Sequence, residues 1–222
     1  MGFNIAIDGP AGAGKSTVAK KISKEMNFIY VDTGAMFRAI GVYFIRNKVL
    51  PEDDAEVQAA CENIQVDIRY EDGQQQVLLN GENVTPILRT QEVGDMASRA
   101  SVNPAVRNKL TELQRKLAAE NDVVMDGRDI GTVILPKADL KIYLTADAHI
   151  RAIRRVGELK EKGIEADLET TEKEIIERDN RDMNRPVAPL KKADDGIEVN
   201  TDKMDADEVA QTIIDLAKER MK

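Results

Sequence analysis

Gly9-Pro10-Ala11-Gly12-Ala13-Gly14-Lys15-Ser16-Thr17, preceded by the apolar run Phe3 to Ile7, decides how the rest of the chain is read. A glycine, four intervening residues and then Gly-Lys-Ser let small residues bring consecutive backbone N–H groups close to phosphate oxygens. The lysine reaches the outer phosphates and the hydroxyl can ligate magnesium. Such a loop needs a strand before it and a helix after it. Both are predicted: Phe3 to Ile7 is a short apolar strand, and Val18, Ala19, Ile22 and Met26 recur at helical spacing, so a helix N-terminus points at the anion. Gly9, Pro10, Ala11, Gly12, Ala13, Gly14, Lys15, Ser16 and Thr17 are therefore the expected nucleotide-phosphate site. A glycine turn that binds nothing is the alternative, and the strand–helix context argues against it.

With 222 residues and 42% hydrophobic side chains, the chain can build one large core with embellishments. Its formal net charge of -8 argues against a general nucleic-acid or membrane-surface binder, so basic clusters become informative. Cys61 is the only cysteine and reads as a core filler beside Val57 and Ile64. No charged-then-apolar leader precedes the first strand and no apolar run approaches membrane-spanning length, so a cytoplasmic protein is expected. A monomer is expected as well, since no apolar stripe stands out.

Phe28 to Val31 reads as a second strand, and a helix is predicted from near Ala35 with Met36, Ala39, Ile40 and Tyr43 on its apolar side. Arg38 lies in its first turns, where a cation opposes the helix dipole; it is either an ordinary surface arginine or the neighbour of an anion. Pro51 opens a helical stretch. Ile64, Val66 and Ile68, then Val77 and Leu79, alternate with polar residues, and the turn signals Asp72-Gly73 and Asn80-Gly81 make this a small antiparallel insert. Helical period returns from Gln91 and breaks at Pro104, with Val106, Leu110, Leu113 and Leu117 on one face and Ser98 and Arg107 exposed near the break.

Val123 to Asp126 is an apolar strand ending in a carboxylate, and an aspartate beside a phosphate loop suits magnesium or its bound water. Leu140 to Leu144 is a further strand. Asp147 caps a helix carrying Arg151, Arg154 and Arg155, and His149 in its first turn has no chemical task, because phosphoryl transfer needs little acid–base help. Arg178, Asp182 and Arg185 share a helical face, with Arg181 beside them. This is either a solvated, salt-bridged surface or part of an arginine flap hinged around Gly163. Pro186 and Pro189 end that helix. Gly196 to Asn200 is the last strand, and Asp205 with Glu208 forms a capping box for a closing helix with Val209, Ile213, Leu216 and Ala217 inward. The element order predicts an α/β fold with a five-stranded parallel sheet and two excursions.

Two non-kinase classes use the same loop. A GTPase switch needs a guanine-reading Asn-Lys-x-Asp, but the Asn-Lys pairs at Asn47 and Asn108 continue Val-Leu and Leu-Thr. A non-catalytic nucleotide-binding module has no evident need for a second arginine set around Arg38, Arg128 and Arg185.

Beyond these readings, five stretches resemble the bacterial cytidylate kinases, nucleoside monophosphate kinases of the P-loop class. They are Gly9 to Thr17, Asp32 to Arg38, Arg89 to Val93, Asp126 to Val133, and Glu177 to Arg185. The resemblance spans nearly the whole chain and implies a P-loop kinase core flanked by helices (residues 1–33 and 105–222), with a helical lid near 154–190. It also implies a monophosphate-binding region at 34–104 that contains the antiparallel insert. The implied substrates are ATP, with Mg2+, and CMP or dCMP, with no nucleic acid or membrane partner. The implied roles follow cytidylate chemistry. Arg38, Arg128 and Arg185 hold the acceptor's phosphate, while Ser98, Arg107 and Asp129 read the base, an aspartate accepting from cytosine's exocyclic amine. Arg178 and Asp182 contact the sugar, and Thr33 belongs to the acceptor site. Arg154, Arg155 and Arg181 join Lys15, Arg128 and Arg185 in neutralising the transferring phosphoryl, and Ser16 and Asp126 hold the metal. The nearest rival is a kinase for UMP or AMP. Phe37 stands where the family is associated with tyrosine, so a hydroxyl is lost while ring packing is expected to persist. Lys15→Ala and Arg185→Ala are each expected to depress turnover by orders of magnitude in a coupled ADP-release assay; near-normal rates in both would refute the site assignment.

Overall fold

The computed structural model describes residues 2–71, 73–161 and 163–222. Strand β1 (Asn4–Asp8) is buried from Ile5 onward and passes through the glycine loop into α1 (Lys15–Met26), which buries Val18, Ala19 and Ile22. Strand β2 (Ile29–Asp32) runs straight into α2 (Thr33–Asn47). That helix starts two residues before Ala35 because Asp32 acts as its N-cap, its carboxylate accepting from the Ala35 N–H at 2.9 Å. Pro51 lies in a turn; α3 (Asp54–Asn63) begins after Asp53, whose side chain caps the first turn from both Ala55 and Glu56.

The insert is a separate antiparallel sheet of β3 (Val66–Glu71), β4 (Gln74–Leu79) and β5 (Glu82–Asn83). Asn80 and Gly81 make the β4–β5 turn with φ of 50° and 84°, the mirror-image geometry that matches strand twist. Gly73 has the positive φ of a turn residue, whereas Asp72 lies outside the described residues. Helices α4 (Gln91–Ala100) and α5 (Pro104–Glu120) follow, the second capped by Asn103 with proline at its first position. The buried face of α5 is Val106, Arg107, Leu110, Gln114 and Ala118, while Leu113 and Leu117 are only half-buried. Apolar periodicity cannot reveal this rotation, because two of the inward residues are polar.

Strand β6 (Val123–Gly127) leads into a short π-helical turn at Ile130–Ile134, then β7 (Leu140–Thr145), α6 (Ala148–Glu161) and α7 (Leu168–Asn184). The chain closes with β8 (Ile197–Asn200) and α8 (Ala206–Arg220), whose reciprocal capping box joins Asp205 and Glu208 as expected. Its inner face is Val209, Ala210, Ile213, Ile214 and Ala217, with Leu216 half-buried. The five-stranded parallel sheet has the order β2-β6-β1-β7-β8. Ile5 lies opposite Leu140 and Asp8 opposite Tyr143; Ile142 pairs with Ile197 and Thr145 with Asn200. Helices cover such a sheet on both faces, which is why its inner strands β1 and β6 are buried along nearly their whole length, while β8 at the edge alternates Ile197 and Val199 with exposed Glu198 and Asn200.

The described chain forms two compact units, one of Gly2 with residues 29–123 and one of residues 3–28 and 124–222. In the first, α2 and α4 approach closely at Gly41, where a Cβ would stand 3.2 Å from the Ala97 N and the Val93 O. The Gln75 side chain fastens β4 to the end of β2, accepting from the Asp32 N–H at 2.8 Å and donating to the Asp32 carbonyl at 3.2 Å. In the second unit α1 packs on α8 and α6 on α7.

Gly9 sits where β1 leaves the sheet, with φ of 150°, and a Cβ there would lie 2.0 Å from the Leu144 carbonyl oxygen of β7. Gly9→Ala is therefore expected to cost more than about 2 kcal/mol of unfolding free energy in a denaturant titration, since strand backbone cannot yield as a flexible side chain does.

Candidate active site

The phosphate loop lies in the second unit, between the end of β1 and the start of α1. Lys15 is 6% exposed, and its Nζ donates to the Pro10 carbonyl at 2.7 Å. Burial, reinforced by the Arg128 charge, lowers its pKa to about 7 against the opposing pull of Asp126, Asp8 and Asp182. An incoming polyphosphate would supply the negative charge that this ammonium lacks. Ser16, next along α1, donates its hydroxyl to Asp126 Oδ2 at 3.0 Å, so the hydroxyl and the strand-end carboxylate stand together as the spacing predicted.

The segment after β6 carries a second charged cluster in the same unit. Arg128 Nε donates to Asp182 Oδ2 at 2.8 Å, and Arg185 Nη2 donates to Asp129 Oδ1 at 3.0 Å. Arg185 also donates through Nε to the Ala188 carbonyl at 2.6 Å, so the chain just past the helix end holds the guanidinium. Burial pushes the Asp182 carboxyl up, but the Arg128 charge and hydrogen bond, with Arg178 and Arg185 nearby, outweigh it and hold the group below the usual carboxylate range. Arg178 is half-buried, one helical turn before Asp182. Of the two open readings for this helix face, the solvated one fails: Asp182 and Arg185 are buried, at 7% and 8% exposure.

The remaining flap arginines are placed apart from that cluster. Arg154 donates to both Thr201 Oγ1 (3.0 Å) and the Thr201 carbonyl (2.6 Å) just beyond β8. Arg155 faces outward toward Glu158 at 3.4 Å, and Arg181 is exposed.

In the first unit, Thr33 is buried at the start of α2, and Arg38 folds back along that helix toward Gly34. Ser98 is half-buried on α4. Arg107 corrects the expectation that the helix break exposes it: it is 5% exposed, donates to the Ser101 carbonyl at 3.1 Å, and has its guanidinium carbon 5.6 Å from the Phe37 ring centroid. The ring keeps its packing role without a hydroxyl, and a cation over an aromatic face gains electrostatically from burial.

Several residues of the site escaped the sequence reading. Asp8, the last residue of β1, accepts from the Ile130 N–H and the Gly131 N–H at 2.7 Å each. Burial, aided by the Asp129 charge, raises its pKa to about 6 against those two hydrogen bonds and Lys15. Its place at a strand end, one residue before the loop, is the only sequence signal it offers. Arg151 and Asp179 form a buried ion pair 28 residues apart, and no local spacing rule pairs them.

The family model for cytidylate kinase matches residues 5–219. The chain belongs to the cytidylate kinase family. A cytidylate kinase from Listeria innocua is 49% identical over 218 residues, 98% of this chain and 96% of that protein. One from Carboxydothermus hydrogenoformans is 46% identical over 214 residues, 96% of each. Among solved structures, an uncharacterized protein from Eubacterium ventriosum is similar with a TM-score of 0.50 at 16% identity, covering 97% of this chain and 98% of its own, a likeness of fold alone. As a cytidylate kinase the chain is a nucleoside monophosphate kinase that phosphorylates cytidylate with ATP as donor.

For this cytidylate kinase the donor set can be tested against magnesium. The described residues contain no cluster of three or more metal-ligating side chains. Magnesium in phosphoryl-transfer sites takes one or two protein oxygens and completes its shell with water and substrate phosphate, so a hydroxyl beside one carboxylate fits it. No helix among the described residues is long and apolar enough to cross a membrane.

Asp8 makes stability depend on pH. A carboxyl raised from 3.8 to about 6 on folding binds more protons folded than unfolded, so its contribution is full below pH 4 and is lost as pH rises through 6. Relative to Asp8→Asn, the parent kinase should lose about 2.5 kcal/mol of unfolding free energy between pH 4 and pH 7 in urea titrations. A difference that stays flat with pH would contradict the buried, raised carboxyl.

Proposed function

We propose that the kinase binds Mg2+-ATP on Gly9 to Thr17 and CMP or dCMP through the second arginine set, with the roles that its family resemblance implies. The supporting observation is the paired cluster after β6. Arg128 with Asp182 and Arg185 with Asp129 pair in the same unit as the phosphate loop, Arg128 half-buried and the other three buried, and a protein binding one nucleotide has no evident need for this second arginine set. Residues 34–104 act as the acceptor-binding region, residues 1–33 and 105–222 as the core, and the stretch near 154–190 as a lid. With that assignment goes a cytoplasmic monomer acting in pyrimidine nucleotide metabolism.

Lys15 donates to the outer phosphates, and its proton is retained once polyphosphate charge offsets the burial that lowers its pKa. Ser16 and Asp126 would hold the metal, which would supply positive charge against the donor's phosphates. Arg38, Arg128 and Arg185 orient the acceptor's phosphate dianion, for which planar guanidinium forks are well suited. A CMP phosphate oxygen attacks the γ-phosphorus, the bond to the ADP oxygen breaks, and no protein nucleophile takes part. Arg154, Arg155 and Arg181 offset charge on the transferring group as the flap closes and excludes water. Ser98, Arg107 and Asp129 read the cytosine edge, and the Phe37 ring favours one plane for the Arg107 guanidinium. Arg178 and Asp182 contact the sugar, and Thr33 lines the acceptor side.

Uracil reverses donor and acceptor along the edge that this trio reads, leaving buried polar groups unpaired, a mismatch of the kind that rejects strongly. ADP formation from Mg2+-ATP, with CMP, dCMP, UMP, AMP and GMP offered separately at matched concentration, should therefore favour CMP and dCMP. Turnover concentrated on UMP or AMP would remove the base-reading assignment while leaving the phosphoryl-transfer machinery, and turnover with none would point to a binding module.

A further inference from the structure

Arg151 lies in the first turn of α6 and is 4% exposed. Its guanidinium reaches three different segments: Nε donates to the Ala146 carbonyl at 2.9 Å, Nη1 to the Ala11 carbonyl at 3.0 Å, and Nη2 to Asp179 Oδ2 at 2.6 Å. Ala11 is inside the phosphate loop. Asp179 is on α7, one turn before Asp182. The stem of Arg151 lies against the loop as well, since a Cβ on Gly12 would stand 3.3 Å from the Arg151 Cβ.

From this geometry we infer that the Arg151–Asp179 pair is a positioning strut, which orients the Ala11–Gly12 peptide of the phosphate loop and holds it at a set distance from the face of α7 that carries Arg178, Asp182 and Arg185. In a trans peptide the carbonyl and the following N–H point in opposite directions. Fixing the Ala11 carbonyl on Arg151 therefore turns the Gly12 N–H to the other side of the loop. The same guanidinium grips α7 through a charge-assisted bond, so loop and helix move together. Stability alone is a poor account of the pair. Buried ion pairs rarely outperform well-packed apolar side chains of similar volume, and Asp179 Oδ1 is buried with no hydrogen-bond partner among the described residues. The inference rests on the reading that the loop serves ATP and α7 serves CMP.

Two variants test it. Arg151→Met with Asp179→Leu removes the ion pair but fills its space, an exchange that is often neutral or stabilising. Arg151→Lys keeps a cation for Asp179 but cannot reproduce the planar fork that also reaches Ala11 and Ala146. In both, kcat/KM for ATP should fall about ten- to a hundredfold, since small misplacements of reacting groups carry losses of that order. The calorimetric Kd for CMP should stay within about twofold of the parent, and Tm close to it, because the strut acts on the phosphate loop and its spacing from α7 and leaves CMP's own contacts intact. Parental kcat/KM for ATP in the stable double variant would overturn the strut, as would parental values in Arg151→Lys; if the double variant does not fold, Arg151→Lys decides alone. The underlying reading fails by a different result, a parent enzyme that does not phosphorylate CMP.

Discussion

Two hydrogen bonds accepted by one buried carboxylate set the frame of the site. Asp8 ends β1 and accepts from the Ile130 N–H and the Gly131 N–H, so the strand that feeds the phosphate loop is tied to the chain that has just left β6. Between those points lie Asp126, Arg128 and Asp129 on one side and the loop with Lys15 and Ser16 on the other. Desolvation of Asp8 opposes folding at neutral pH, and the two backbone donors offset part of that cost.

Around this tie the protein resolves a conflict of charge. Its overall field is negative, with a formal net charge of -8, yet its substrates are anions. The local solution is to draw arginines inward, each answered by an aspartate: half-buried Arg128 by Asp182, and buried Arg185 and Arg151 by Asp129 and Asp179. Pairing lowers the desolvation cost of each guanidinium and fixes its plane. Lys15 is the exception. Burial first, and then the Arg128 charge, lower its pKa to about 7 while its Nζ donates to the Pro10 carbonyl.

The first unit shows the same economy of means with different groups. Arg107 sets its guanidinium against the Phe37 ring and donates to the Ser101 carbonyl, so an aromatic face and a backbone dipole take part in stabilising its burial. Asp32 caps α2 while Gln75 bridges its backbone, which joins the small antiparallel sheet to the end of β2.

The amino-acid sequence by itself determined the parts whose signals are local. Strand-loop-helix around Gly9 to Thr17, the five apolar strand runs, the Asn80-Gly81 hairpin, the Asp205–Glu208 cap and the family resemblance all depend on residues within a few positions of one another. Helix starts were off by a turn or less, at α2 and α3, because one aspartate side chain decides which N–H groups begin the helix. Tertiary structure alone decided what depends on distant partners: the inward turn of Gln114 and Arg107 on α5, the buried faces of Asp182 and Arg185, and the attachments of Asp8 and Arg151. Their partners lie between 28 and 140 residues away in the cases of Arg151 with Asp179 and Ala11, and 122 in that of Asp8 with Ile130. A periodicity marks which residues are apolar, but a buried charge is tolerated only where folding delivers its counter-charge or donor, and that delivery is a property of the assembled chain.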